Sequence, residues 1–178
     1  MITLLVFMTT CHALFSEDLL NRSITLGISG VYVYKDDFGG LAPGYGGMIT
    51  YNYHLSEDYL LGINLLRYEL HPGSNPGLMS FSYGFTFQHF WKKSWGDLGN
   101  FLPYLSYSIL LNQGILAGVS GRALAHNTRI ALGMEVKLEQ RHHLGLEGLW
   151  NYASYGYFGM DGKNYQNAGL GLNYRYSF

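Results

Sequence analysis

The sequence predicts an all-β protein: an eight-stranded antiparallel up-and-down β-barrel that crosses a membrane with its strands. One observation is that apolar and polar residues alternate along eight segments, as in strands that face lipid on one side and a barrel interior on the other. A second is that charged residues make up only 13% of the chain, whereas hydrophobic residues reach 48%. A third is a mean hydropathy close to zero, which means that apolar and polar residues are finely mixed.

The composition adds support for strands and bounds the function. Glycine (24 residues) and tyrosine (16) are frequent and there are only 4 prolines, which is typical of a strand-rich protein with aromatic girdles. The formal net charge of −1 at pH 7 predicts no nucleic-acid partner. The chain length of 178 residues suits one domain. A soluble barrel that carries a ligand is the alternative that composition alone leaves open.

An apolar run opens the chain, from Ile2 to Phe15. It has about the length of the apolar region of a secretory signal and is too short to span a bilayer as a helix. The small Ala13 lies near its end and the polar Ser16 follows it. We therefore expect residues 1–16 to be a signal peptide, and residues 17–178 to form the transmembrane barrel domain. A lipidated Cys11 and a buried N-terminal segment are the alternatives, since no Lys or Arg precedes the run.

The alternation is clearest in the fourth segment, where Met79, Phe81, Phe85 and Phe87 share one parity and small or polar residues hold the other. About ten residues of a tilted strand cross the hydrocarbon of a bilayer. The predicted strands are residues 23–35, 44–55, 59–70, 78–91, 104–112, 128–138, 143–155 and 165–178.

The third of these strands is ambiguous. Leu61 and Leu65 suit the lipid face, but the same parity would turn Arg67 and Glu69 outward as well. We therefore expect Arg67 and Glu69 to lie above the membrane, on a part of the strand that projects into solvent.

The connections fall into two sets by length. Residues 56–58 and 139–142 are short and polar, as expected of tight turns at one end of the barrel. Residues 36–43, 71–77, 113–127 and 154–164 are mostly longer and rich in glycine, as expected of loops at the other end. The connection 92–103 is long for a turn and has room for a short ordered segment.

Charged residues on the inward parity of the last three strands form a predicted lumen charge network. Its members are Arg129, Glu135, Lys137, Glu147 and Arg175. A soluble ligand carrier has an apolar interior, which could not hold these charges unpaired. Their inward position therefore argues against a soluble carrier. A turn near residues 140–141 would place Glu135 opposite Glu147, and Arg175 could then reach Glu147 as a bidentate partner. Because eight strands leave an interior just wide enough for side chains, we expect salt bridges that fill the lumen. The alternative is a gating cluster for small solutes.

The last strand ends on an aromatic residue, Phe178, with Tyr174 and Tyr176 at alternate positions before it. This row resembles the C-terminal signature that the outer-membrane barrel-assembly machinery reads. In strand pattern and end signal, the chain from residue 17 onward resembles the eight-stranded outer-membrane barrels of the OmpA, OmpX and opacity-protein type. The resemblance implies a monomer in the outer membrane, in contact with its lipid, that meets the assembly machinery during biogenesis and holds no cofactor.

The expected function is a structural or surface-interaction role without enzymatic activity. A narrow channel or carrier for small ligands is one alternative, and a lipid-modifying hydrolase is the other. The hydrolase rests on His126-Asn127-Thr128, which is similar to the His-x-Ser of the lipid A deacylase barrels but has Thr in place of Ser, at a predicted loop–strand boundary. The aromatic residues of the last predicted loop, Tyr155 to Met160, would suit contacts at the surface. No metal site is predicted, because the histidines are scattered.

Overall fold

The computed structural model describes residues 22–72, 77–91, 100–116, 123–158 and 162–178. Each strand pairs antiparallel with the next, and β1 also pairs with β8, so the sheet closes on itself. This confirms the predicted all-β, eight-stranded antiparallel barrel. The strands are β1 (Arg22–Asp36), β2 (Gly44–His54), β3 (Tyr59–His71), β4 (Leu78–Phe90), β5 (Phe101–Leu116), β6 (Ala123–Lys137), β7 (His142–Phe158) and β8 (Asn164–Ser177).

The two ends of the barrel differ in their connections. The end that carries Arg22 and Phe178, here called the terminal end, also holds the short turns 55–58 and 138–141. The opposite end, here called the loop end, holds the connection 37–43 and the outer ends of the other strands. In the described part of the chain no helix is long and apolar enough to cross a membrane. The predicted signal peptide, residues 1–16, lies outside the described residues.

An apolar belt surrounds the barrel because side chains alternate along every strand. Ile28 is 64% exposed and Leu170 is 65% exposed, and similar aliphatic or aromatic residues continue around the outside. In water such a belt would be an exposed apolar patch far above ordinary size. In lipid it is the favoured surface, since the closed sheet pairs its own backbone N–H and C=O groups. Other exposed members of the belt are Leu26, Leu65, Phe85, Ile109, Leu132, Leu146 and Leu172.

Aromatic side chains gather on the outer face near both ends. At the terminal end the ring of Phe178 lies 6.3 Å from that of Tyr51 and 6.2 Å from that of Tyr176. Toward the loop end the indole N–H of Trp150 donates to the hydroxyl of Tyr34. Paired girdles of this kind mark the two interfaces of a membrane with water.

A β-bulge in β3 overturns the prediction for Arg67 and Glu69. The pairing of β3 shifts register between Asn64 and Arg67 against β4, and Leu65 and Leu66 are both exposed there. A bulge adds one residue to a strand, so the parity beyond it is reversed. Arg67 and Glu69 therefore face the interior and are each only 6% exposed. The prediction that they point outward into solvent is wrong.

Several boundaries also differ from the predictions. β5 and β6 are longer than expected and reach residues 101–116 and 123–137. His126-Asn127-Thr128 consequently lies inside β6 and not at a loop–strand boundary. Of the connection 92–103, residues 101–103 are the start of β5, and residues 92–99 lie outside the described ranges.

The first connection at the loop end folds inward. The Asp36 carboxylate accepts backbone N–H groups of Phe38, Gly39 and Gly40 at 2.8–3.1 Å. Gly39 and Gly40 have φ angles of +93° and +110°, which residues with a side chain rarely adopt. This tight turn places Phe38 and Leu41 in the barrel mouth, where both are buried.

Apolar clusters lie at both ends of the interior. At the loop end Phe38 packs edge-on against Tyr155, with ring centroids 5.8 Å apart. Tyr155 is buried in β7 and so does not belong to the aromatic loop that the sequence predicts. At the terminal end Leu60, Phe90 and Tyr104 form a second cluster. Polar and charged side chains occupy most of the space between the two clusters, together with a small apolar cluster of Val31, Ala131 and Leu149. The loop-end cluster consists of Val33, Phe38, Leu41, Leu78, Ala125, Ala153, Tyr155 and Tyr165.

Candidate functional site in the barrel interior

One buried ion pair joins β6 to β7. The guanidinium of Arg129 donates through Nη2 to Oε1 of Glu147. The hydroxyl of Tyr104 donates to Oε2 of the same carboxylate at 2.9 Å, and Asn173 donates to the Tyr104 hydroxyl at 3.2 Å. Both carboxylate oxygens therefore have donors, which is what a buried charge requires. The chain of contacts extends from β5 to β8.

A second buried pair joins β8 to β6. Arg175 donates through Nε to Oε2 of Glu135 at 3.1 Å and through Nη2 to the same oxygen at 2.5 Å. The other nitrogen, Nη1, lies 3.2 Å from Nε2 of His54 on β2. Nη2 also lies 3.2 Å from Nδ1 of His143. Arg175 thus connects β2, β6, β7 and β8 near the terminal end.

The pairing within the predicted charge network differs from the expected pairing. The β6–β7 hairpin sets Glu147 opposite Gly133 and Glu135 opposite Gly145, so the two carboxylates are not cross-strand neighbours. Glu147 consequently pairs with Arg129, and Arg175 pairs with Glu135. The structure brings these four residues into the interior. Lys137, the fifth predicted member, is exposed at the end of β6.

The sequence reasoning missed a network around Glu69. Oε1 of Glu69 lies 2.6 Å from Nε2 of His71 and accepts from the Tyr165 hydroxyl at 3.1 Å and from Asn167 at 2.7 Å. Oε2 accepts from Asn151 at 3.1 Å. Glu69 is on β3 and Asn151 is on β7, which are opposite walls of an eight-stranded barrel, so this bond crosses the lumen. Two successive apolar residues, Leu65 and Leu66, are the signal in the sequence that could have located the bulge.

His71 also holds the first connection of the loop end. Its Nδ1 lies 2.9 Å from the carbonyl oxygen of Ala42. A carbonyl oxygen can only accept, so Nδ1 donates to it. Nε2 then shares a proton with Glu69 at 2.6 Å. Whichever atom carries that proton, His71 and Glu69 together are electrically neutral.

A small cavity lies among these networks. Its volume is about 30 Å³, which is space for about two water molecules. Charged side chains of Arg67, Arg129, Glu135 and Glu147 line it. Among the residues that the structure describes, no group of three or more His, Cys, Asp or Glu side chains could hold a metal ion.

The other predicted site residues lie on the outer face. Tyr174 is 36% exposed and Phe178 is 50% exposed, and the backbone N–H of Phe178 donates to the carbonyl of Arg22 at 3.0 Å. Tyr176 lies between them on the same side. The predicted assembly signal, Tyr174, Tyr176 and Phe178, is therefore a continuous outward row beside the β1–β8 seam.

His126 is exposed on the outer face of β6, and the parity of the strand puts Thr128 on the same face. The cross-strand partners of His126 are Leu111 and Ser154, and those of Thr128 are Ile109 and Tyr152. None of these four partners is the acidic residue that the deacylase resemblance implies.

A closed antiparallel barrel with an apolar outer belt, aromatic residues at both ends and a polar interior is a small transmembrane β-barrel. No protein-family model matches the chain, and no curated protein matches it in sequence. Solved structures do match it in fold. Neisserial surface protein A superposes with a TM-score of 0.65 at 14% identity, over 89% of this chain and 97% of that chain.

Two further structures are similar. Ail, the attachment invasion locus protein of Yersinia pestis, in complex with the heparin analogue sucrose octasulfate, has a TM-score of 0.51 at 14% identity, over 88% of this chain and 99% of that chain. The outer membrane protein OprG from Pseudomonas aeruginosa has a TM-score of 0.51 at 12% identity, over 90% of this chain and 96% of that chain. The fold is thus that of the small outer-membrane barrels, as the strand pattern predicts.

Proposed function

We propose that the protein is an integral outer-membrane barrel with a closed lumen, which acts through its outer end at the cell surface and not as a pore. The observation that carries the proposal is the set of buried polar bonds within the lumen, of which the bond between Glu69 and Asn151 joins opposite walls. Glu69 on β3 bonds to Asn151 on β7, and Arg175 on β8 bonds to Glu135 on β6. Breaking a buried ion pair is strongly unfavourable, so these bonds oppose the opening of a water-filled path.

The loop end supports a role at the surface. β7 has 17 residues and β5 has 16, whereas a bilayer needs about 9–11 residues per tilted strand. Part of the wall therefore extends beyond the hydrocarbon. In this class the longer connections face the outside of the cell and the short turns face the periplasm, so the projecting wall is the part that a partner would meet.

The names of two barrels with the same fold favour the same role. One is called a surface protein and the other an attachment invasion locus protein, whose structure holds a heparin analogue. By this reasoning the contacts of the present barrel with a partner would involve its loop end.

Conductance tests the closed lumen. In planar bilayers the purified, folded protein is expected to give no steady current above that of the protein-free membrane, because side chains fill the interior. A porin inserted into the same membrane serves as the positive control, and outer-membrane fractionation of cells checks the location. Steady unitary currents that depend on the amount of folded protein would replace this proposal with the narrow channel.

The lipid-modifying hydrolase remains the second candidate, because His126 and Thr128 lie on the outer face of β6, which lipid can reach. We expect the intact protein, folded in outer-membrane lipid, to release no fatty acid from lipid A. His89→Ala is the matched control variant. If fatty acid is released from lipid A by this control but not by His126→Ala, the protein is a hydrolase and the surface role is replaced.

A further inference from the structure

In the described part of the chain, the barrel interior holds one arginine that no buried carboxylate neutralises. Among the residues that the structure describes, the buried charged side chains are three arginines and three glutamates. Arg129 pairs with Glu147, and Arg175 pairs with Glu135. The six residues are Arg67, Glu69, Arg129, Glu135, Glu147 and Arg175.

The third glutamate does not neutralise the remaining arginine. Glu69 shares a proton with His71, whose other ring nitrogen donates to a carbonyl oxygen, so the two residues form a neutral unit. Glu69 also accepts bonds from three neutral donors on β7 and β8. The described bonds of Glu69 thus run to His71 and to the far wall of the barrel, and none of them reaches Arg67, which keeps its positive charge.

Arg67 itself is 6% exposed. Within the described residues its hydrogen-bond partner is the thioether sulfur of Met48, 3.5 Å from Nη2. A thioether is a weak acceptor and carries no charge. A guanidinium has five N–H donors, and a buried cation that lacks a counter-charge is strongly unfavourable. Among the residues that the structure describes, Arg67 therefore lacks the anionic partner that the other two buried arginines have.

The guanidinium lines the cavity of about 30 Å³, and neutral donors line it as well. Ser106, Thr86 and Gln88 contribute hydroxyl and amide groups to the same wall. The carboxylates of Glu135 and Glu147 also face the cavity, but each is held by its own arginine. The space of about two water molecules admits a small inorganic anion and excludes an organic acid of several heavy atoms.

We propose that Arg67 binds a small monovalent inorganic anion, of the size of chloride, inside the barrel. The anion would supply the counter-charge that the described part of the chain does not provide, and the hydroxyl and amide groups would complete its shell. This anion site is independent of the proposed surface role of the loop end. The same site would bind an anion in a barrel with another function.

Binding is measured with chloride itself as the probe. The folded protein in detergent micelles is titrated with chloride at constant ionic strength, with gluconate as the replacement anion, and the ³⁵Cl NMR linewidth is recorded. We expect saturable broadening that bromide displaces. In Arg67→Gln the affinity is expected to fall at least about tenfold, because the buried charge partner is gone.

Arg141→Gln is the matched control, since Arg141 is exposed in the turn between β6 and β7, and it should bind as the unaltered protein does. Equal broadening in Arg67→Gln and in the unaltered protein would overturn the site, and so would broadening no greater than that of empty micelles. If Arg67→Gln does not fold, crystals of the unaltered protein soaked in bromide decide the question. An anomalous peak beside the Arg67 guanidinium supports the site, and its absence excludes it.

Discussion

Replacing Glu69 by leucine is expected to lower the free energy of unfolding by about 3–5 kcal/mol, the usual cost of removing one partner from a buried ion pair. The substitution leaves His71 without the carboxylate that shares its proton. It also leaves the Tyr165 hydroxyl and the amides of Asn151 and Asn167 without the oxygen that accepts from them. Each buried donor without an acceptor adds to the cost.

Urea unfolding of protein refolded into lipid vesicles, followed by tryptophan fluorescence, measures this change. Glu139→Leu is the matched control, because Glu139 is exposed in the turn after β6 and its replacement should stay within about 0.5 kcal/mol. The double variant Glu69→Leu with His71→Leu should lose less than the sum of the two single variants, because it removes both members of the buried pair. A cost for Glu69→Leu no larger than that of the control would show that the network contributes nothing.

Glu69 also shows where prediction from sequence fails. Along the membrane-crossing middle of most strands, alternation predicts which face each residue occupies, because lipid and lumen select opposite side chains at every step. Further irregularities lie toward the loop end, between Val33 and Lys35 of β1 and beside Leu124 and His126 of β6. In β3 the bulge at Leu65 and Leu66 adds one residue and reverses that parity. Whether a bulge forms depends on pairing with β2 and β4, which are separate segments of the chain. The position of Glu69 is therefore a property of the assembled sheet.

Partner choice in the charge network has the same origin. Parity alone places Arg129, Glu135, Glu147 and Arg175 inside, and they do lie inside. Which of these side chains come close depends on the register of β6 against β7, where a shift of two residues would set Glu135 opposite Glu147. The sequence indicates a turn near residues 140–141, whereas pairing of Lys137 with His143 centres it on residue 140. Glu135 opposite Glu147 would need a turn centred on residue 141, so a difference of one residue in the turn centre separates the two carboxylates.

The seam that closes the barrel contains, among the described glycines, the one at which an added Cβ atom would make the shortest contact. Gly169 on β8 pairs with Val31 on β1. A Cβ atom at Gly169 would lie 2.0 Å from the carbonyl oxygen of Gly30 and 2.9 Å from the Cα of Val31, both of which are backbone atoms. The interior behind it is filled, since Val31 packs with Ala131 and Leu149. The two strands must therefore separate to admit a side chain.

Gly169→Val is accordingly expected to lower the folding equilibrium constant in vesicles at least about fivefold, and with it the folded fraction at urea concentrations near the midpoint. The reason is that overpacking costs about 1–3 kcal/mol and an opened seam exposes unpaired backbone groups to lipid. The compact band that a folded barrel gives on a gel before heating measures that fraction. Gly30→Val is the matched control on the facing strand, because a Cβ atom at Gly30 would meet nothing within 4 Å. Valine is favourable in a strand, so the control should fold as the unaltered protein does. Equal folded fractions for the two variants would contradict the prediction, because they would mean that β1 and β8 admit the added side chain at no cost.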